Sequence, residues 1–150
     1  MYSKILVPTD GSEMSNKAVT EAAQLAKSLG AKLLVLHVRS PIDIPHHVEG
    51  GALSRLGEVK LMEEIEGEER TLLDAAVELA ASAGVQAQAA FVAGYVPYDA
   101  IIRVSREQHC DLIVMASHSR PGIPGLLLGS ETQKVLTHTG TPVLVIKRDE

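Results

Sequence analysis

Cysteine is nearly absent. Cys110 stands alone and cannot form a disulfide within the chain. A chain without such staples suits a reducing compartment. Long hydrophobic runs are absent too, since none approaches the ~18 residues of a membrane span. The start, MYSKILVPTD, enters a strand pattern without the apolar segment of a signal peptide. Positive charge is scarce: 14 Lys and Arg face 19 Asp and Glu, a formal net charge of −5. That balance argues against a nucleic-acid groove or an anionic membrane surface as the main partner. Internal repeats, linkers and low-complexity tracts are missing as well. The expectation is a cytoplasmic protein with one domain over residues 1–150.

What is present is the make-up of a globular chain, 45% apolar and 22% charged over 150 residues. That length can bury a core without disulfides or metals. Lys4 to Val7 reads as a short buried strand, and Pro8-Thr9-Asp10-Gly11-Ser12 as a turn. Ala18, Ala22, Leu25, Ala26 and Leu29 recur at helical spacing, with Gly30 as the stop. Leu33 to Val38 is a second buried strand, which completes a right-handed βαβ unit. His37 lies in its apolar run and reads as a structural histidine.

Arg39 to Gly57, with Pro41, Pro45, Gly50 and Gly51, reads as a long loop and a candidate lid. Asp43, His46 and His47 in it lack zinc-ligand spacing. Leu56 to Ala83 is a long helical pattern with an apolar stripe; its glutamates, Glu69 included, read as a solvated face. Val85 to Val92 alternates, which predicts a strand near a sheet edge. Pro97 opens a third helix whose inward side carries Ala100, Ile101 and Val104. Cys110 reads as a small buried hydrophobe.

The chemistry concentrates in Asp111 to Lys147. Leu112 to Met115 reads as a buried strand, then a Ser/Gly/Pro-rich loop runs to Gly129-Ser130. A helix with Val135 and Leu136 follows, and Pro142 to Ile146 reads as the last strand. Five strands alternating with four helices predict an α/β fold: a doubly wound, five-stranded parallel sheet, Rossmann-like, with helices on both faces. Ligands of such sheets bind at the carboxyl ends of the strands. Gly129 and Ser130 start a helix there, where free amides suit a phosphate. Ser130 can equally serve as an ordinary N-cap. Asp10, at the end of the first strand, can accept from a sugar hydroxyl or help hold a divalent ion. It can equally cap the following helix.

Ala116-Ser117-His118-Ser119, nine residues, then Gly129-Ser130 resembles the Gly-x2-Gly-x9-Gly-Ser/Thr signature of the universal stress protein family. KILVPTDGSE, LLVLHV, AGYVPYDAI, LLLGS and TPVLVIK resemble other blocks of that family, in order, across nearly the whole chain. The resemblance implies strand order 3-2-1-4-5 and a homodimer joined through the last strand, Val143 to Ile146. It also implies stress-response ATP binding. Pro8, Thr9 and Asp10 match the nucleotide-contacting turn. Val38 matches the residue whose backbone reads adenine, and Met115 and Ala116 the wall beside the ribose. Ser119 matches the second glycine beside the phosphates; Ser117 and His118 share its loop. Gly129, Ser130 and Glu131 match the phosphate cradle. Ala116 and Ser119 depart from the glycines of the signature. ATP, with or without Mg2+, is the implied cofactor. The alternatives are a slow ATPase or self-phosphorylating enzyme, with His118 as the one base to hand, and a dimeric interaction protein that binds no nucleotide.

Overall fold

The computed structural model describes residues 1–39, 52–93, 95–118 and 128–149, with side chains outside 52–62. Its elements alternate without exception: β1 (Lys4–Pro8), α1 (Glu13–Leu29), β2 (Lys32–Arg39), α2 (Ala52–Ser82), β3 (Ala87–Ala93), α3 (Pro97–Glu107), β4 (Leu112–Ala116), α4 (Ser130–His138) and β5 (Val143–Ile146). The five strands form one sheet in the order β3-β2-β1-β4-β5. Every pairing in it is parallel.

The central strands are apolar on both faces because both faces are covered. Ile5, Val7, Leu33, Val35, Leu112 and Val114 point to one side, against α1 and α2. Leu6, Leu34, Leu36, Ile113 and Met115 point to the other, with Ile101, Val104 and Val135 of α3 and α4. Alternation along each strand thus feeds two cores from one set of five strands. Ala18, Ala22, Ala23 and Ala26 are fully buried. Such small residues let α1 lie close on the sheet, so a larger side chain there overpacks the interface at about 1–3 kcal/mol. Ser12 caps α1 by accepting from the Ser15 amide, and Gly30 ends it at φ 66°. That left-handed value favours glycine.

Three sequence expectations need adjustment. The helix expected from Leu56 already begins at Ala52; Ala52 to Leu56 contains no breaker, the prolines and paired glycines lying upstream. At its other end the expected loop loses Arg39, which is the buried last residue of β2; residues 40–51, with Asp43, His46 and His47, lie outside the described residues. Glu69 is not on a solvated face: it is 7% exposed, and its Oε2 lies 3.4 Å from Nη1 of Arg39. Burial pushes its carboxyl above the ordinary value despite the Arg39 charge. The third expected strand starts at Ala87 rather than Val85 and forms one edge of the sheet. β5 forms the other edge, with Leu144 exposed. Cys110 is buried, which raises its thiol.

Candidate nucleotide site

At the carboxyl ends of β1, β2 and β4 a cleft of about 270 Å³ opens. It sits where the connections from β1 and β4, neighbours in the sheet, leave toward opposite faces, which is where open α/β sheets bind ligands. Leu36, Val38, Ile101 and Met115 give it apolar walls. Its polar groups come from two banks.

The first bank is the β1–α1 turn. The Thr9 amide donates to the Leu36 carbonyl at 2.8 Å, which carries the β1–β2 ladder to the cleft floor. His37 donates from Nδ1–H to the Thr9 carbonyl, 2.9 Å away. It is therefore a structural histidine, as its apolar setting suggests, and it also lines the cleft. Asp10 Oδ1 accepts from the Ser12 amide at 2.9 Å and the Ser15 hydroxyl at 2.9 Å. Burial alone would raise the Asp10 carboxyl. The Ser12 and Ser15 hydrogen bonds and the nearby His118 outweigh it and hold the group below the ordinary aspartate value. The turn reading of Asp10 is seen in Oδ1, which braces the turn; Oδ2 faces Nε2 of His118 at 3.7 Å.

The second bank is the start of α4. The N-cap is Gly129, not Ser130, and among the described residues no side chain caps the helix. Ser130 is the first helical residue. A glycine cap leaves the first-turn amides without the oxygen that Ser, Thr or Asp would supply. The Gly129 amide itself is taken: it donates to Oγ of buried Ser117 at 3.0 Å. A Cβ on Gly129 would sit 3.2 Å from the His118 backbone nitrogen, so glycine lets β4's extension and α4 approach. Thr132 donates to the Ala116 carbonyl at 3.3 Å, a second tie between them. The Glu131 side chain turns away from the amides of its own helix. Its Oε2 accepts from the Tyr98 amide at 2.9 Å and so caps α3.

The structure thus brings Pro8, Thr9, Asp10, Val38, Met115, Ala116, His118, Gly129, Ser130 and Glu131 to one cleft. Ser117 stands behind it as the acceptor for Gly129. Ser119 lies outside the described residues. Sequence reasoning missed Ser15 and Thr132. Ser15 follows Ser12 by one helical turn, and Thr132 falls three after the Gly129 cap; those spacings were the available signals.

With this geometry in view, relatives can be compared. The model of the universal stress protein family matches residues 1–147. The chain belongs to that family. Universal stress protein MJ0531 of Methanocaldococcus jannaschii is 32% identical over 149 residues, covering 99% of this chain and 84% of its own. YxiE of Bacillus subtilis, also a universal stress protein, is 32% identical and covers 98% of this chain and 100% of its own. Among solved structures, that of MJ0577, from M. jannaschii, superposes with a TM-score of 0.79 at 28% identity, covering 100% and 99% of the two chains. A universal stress protein in complex with cAMP superposes at 0.70 and 26% identity, covering 99% and 98%.

Proposed function

We propose that this universal stress protein is a stress-response nucleotide sensor whose cleft holds ATP at the carboxyl end of the sheet. The observation that carries the proposal is the uncapped start of α4, opening into an apolar-walled cleft opposite Asp10. A helix start of this kind attracts a phosphate through its amides and its dipole. In this reading the base lies along Leu36 to Val38, with the Val38 backbone reading adenine. The sugar lies by Asp10, Met115 and Ala116, and the phosphates pass Gly129, whose own amide is held by Ser117, to reach the backbone amides of Ser130 and Glu131. The structural neighbour that holds cAMP supports an adenine nucleotide as the ligand class.

No group of three His, Cys, Asp or Glu able to hold a metal occurs among the described residues. Magnesium commonly binds through one carboxylate together with substrate phosphates. Asp10 Oδ2 is the side-chain oxygen here that fits that role, so Mg2+ would arrive with the nucleotide. The protein acts as one domain over residues 1–150 in the cytoplasm, as a homodimer. β5 is an edge strand with Leu144 exposed, and a second copy across a two-fold axis would cover it.

Equilibrium dialysis with MgATP tests the binding: saturable uptake of one nucleotide per chain is expected, and none at millimolar ATP rejects the reading. Sedimentation tests the dimer, which a Leu144→Lys change should dissociate. The His118–Asp10 approach favours slow hydrolysis as a second reading. Incubation with γ-labelled ATP separates the two, since a sensor keeps the label on intact nucleotide while an enzyme releases it or transfers it to protein.

A further inference from the structure

Asp10 is exposed, yet the hydroxyl that braces it is not: Ser15, in the first turn of α1, is 2% exposed. Its Oγ lies 2.9 Å from Asp10 Oδ1, 3.0 Å from the Ser12 carbonyl, 3.0 Å from Thr9 Oγ1 and 3.2 Å from Ser12 Oγ. A hydroxyl has one proton to give. The ionised carboxylate is the strongest acceptor among these four oxygens, because a charged acceptor roughly doubles the bond. The Gly11 amide donates to Thr9 Oγ1 at 3.2 Å, which leaves the Thr9 hydroxyl free to donate to Ser15. A directed chain results, from Gly11 N–H through Thr9 and Ser15 to Asp10, and each bond polarises the next.

With the Ser12 amide on the same oxygen, Oδ1 is saturated and the carboxylate cannot rotate without breaking both bonds. Oδ2 is then presented to the cleft in one orientation. We infer that Ser15 is a positioning residue for nucleotide binding: its buried hydroxyl, backed by Thr9, fixes the Asp10 carboxylate so that Oδ2 meets the ligand's sugar hydroxyl or its metal. The inference rests on the nucleotide reading of the cleft and extends it to a residue within the helix.

The test compares wild type, Ser15→Ala, Ser15→Cys and Asp10→Asn with ATP, by calorimetry from pH 7.5 down to pH 3, a range that reaches below the ordinary aspartate value. Cysteine keeps nearly the volume of serine but is a weak donor, so it separates the hydrogen bond from packing if alanine disturbs the turn. Loss of a bond to a charged group predicts about tenfold weaker binding for both Ser15 variants at pH 7.5. It also predicts that affinity falls away on acidification about one pH unit earlier than in wild type, because the carboxylate is held less firmly in its ionised form. The ligand's own titration is common to all four proteins and cancels. Wild-type affinity in the Ser15 variants, or weaker binding with the acid limb unmoved, overturns the inference and leaves Ser15 a packing residue. If Asp10→Asn binds like wild type, the role given to Asp10 fails and the inference falls with it. If wild type binds no ATP, the nucleotide reading itself is wrong.

Discussion

The two banks of the cleft begin with the same problem and solve it differently. Each is the start of a helix following a buried strand, and each must deal with first-turn amides that have no partner within the helix. At α1 the solution is internal: Ser12 caps Ser15, Asp10 accepts from Ser12, and Thr9 and Ser15 close the network. At α4 the cap is a glycine, the nearby Ser117 hydroxyl serves Gly129 alone, and the Glu131 carboxylate is used on α3. The closed bank presents a fixed carboxylate oxygen, and the open bank presents amides. A ligand carrying a hydroxyl or cation at one end and a phosphate at the other matches both. The contrast teaches that one helix start spends its polar groups on its own turn while the other keeps amides open, which is why the proposal places the phosphates at α4.

Closing the open bank should have the largest effect. Gly129→Ser supplies the missing cap oxygen, while its Cβ meets the His118 nitrogen at 3.2 Å. The phosphate then competes with an internal acceptor, and affinity for ATP should fall about tenfold or more, on the scale of a hydrogen bond to a charged group. Calorimetry with ATP and with adenosine checks this; adenosine, lacking a phosphate, should lose far less.

Ser117→Ala removes the acceptor of the Gly129 amide, a buried group. An unsatisfied buried donor costs about 1–3 kcal/mol, and thermal unfolding should show a drop of about 2–4 °C per kcal/mol for a chain of this size. Glu131→Ala should cost less, about 0.5–2 kcal/mol, by uncapping α3. Its ATP affinity should stay within about twofold, since this side chain points at Tyr98 and not at the amides of α4. Affinity lost with Glu131→Ala would mean that the carboxylate, rather than the backbone, shapes the open bank.

The smallest effect is on the closed bank and concerns pH. The Asp10 carboxyl is held below its ordinary value in the fold. Its contribution to stability is therefore fully present above the unfolded value of about 3.9 and is lost as pH falls through the lower, folded value. Melting temperatures followed from pH 5 to pH 2.5 should decline less steeply in Asp10→Asn than in wild type. Asp111, also held low by its bonds to Ser3 and Lys4, titrates in both proteins, so the difference between the curves isolates Asp10.

Much of this was legible in the residues. The unbroken apolar runs of β1, β2 and β4 foretold strands buried on both faces, and the alternation before Phe91 foretold the edge position of β3. Asp10, Gly129 and Ser130 could be placed at the cleft because the order of elements fixes which loops share an end of the sheet. What could not be read depends on side-chain direction. Glu69 stands in a run of glutamates, and only the position of Arg39 across the strand end marks it as the one that turns inward. Ser130 looked like a cap because serine often is one; the backbone at Gly129 takes the cap position one residue earlier. Ser15 was passed over since a serine within a helical pattern carries no sign of whether its hydroxyl is buried.

The central claim is that the uncapped start of α4 is a phosphate site. Titrating ATP into wild type and Gly129→Ser side by side tests it most directly. The account predicts saturable one-site binding by wild type and at least a tenfold loss in the variant, with the fold intact by circular dichroism. Equal affinities in the two proteins, or no heat from wild type at millimolar ATP, would contradict it.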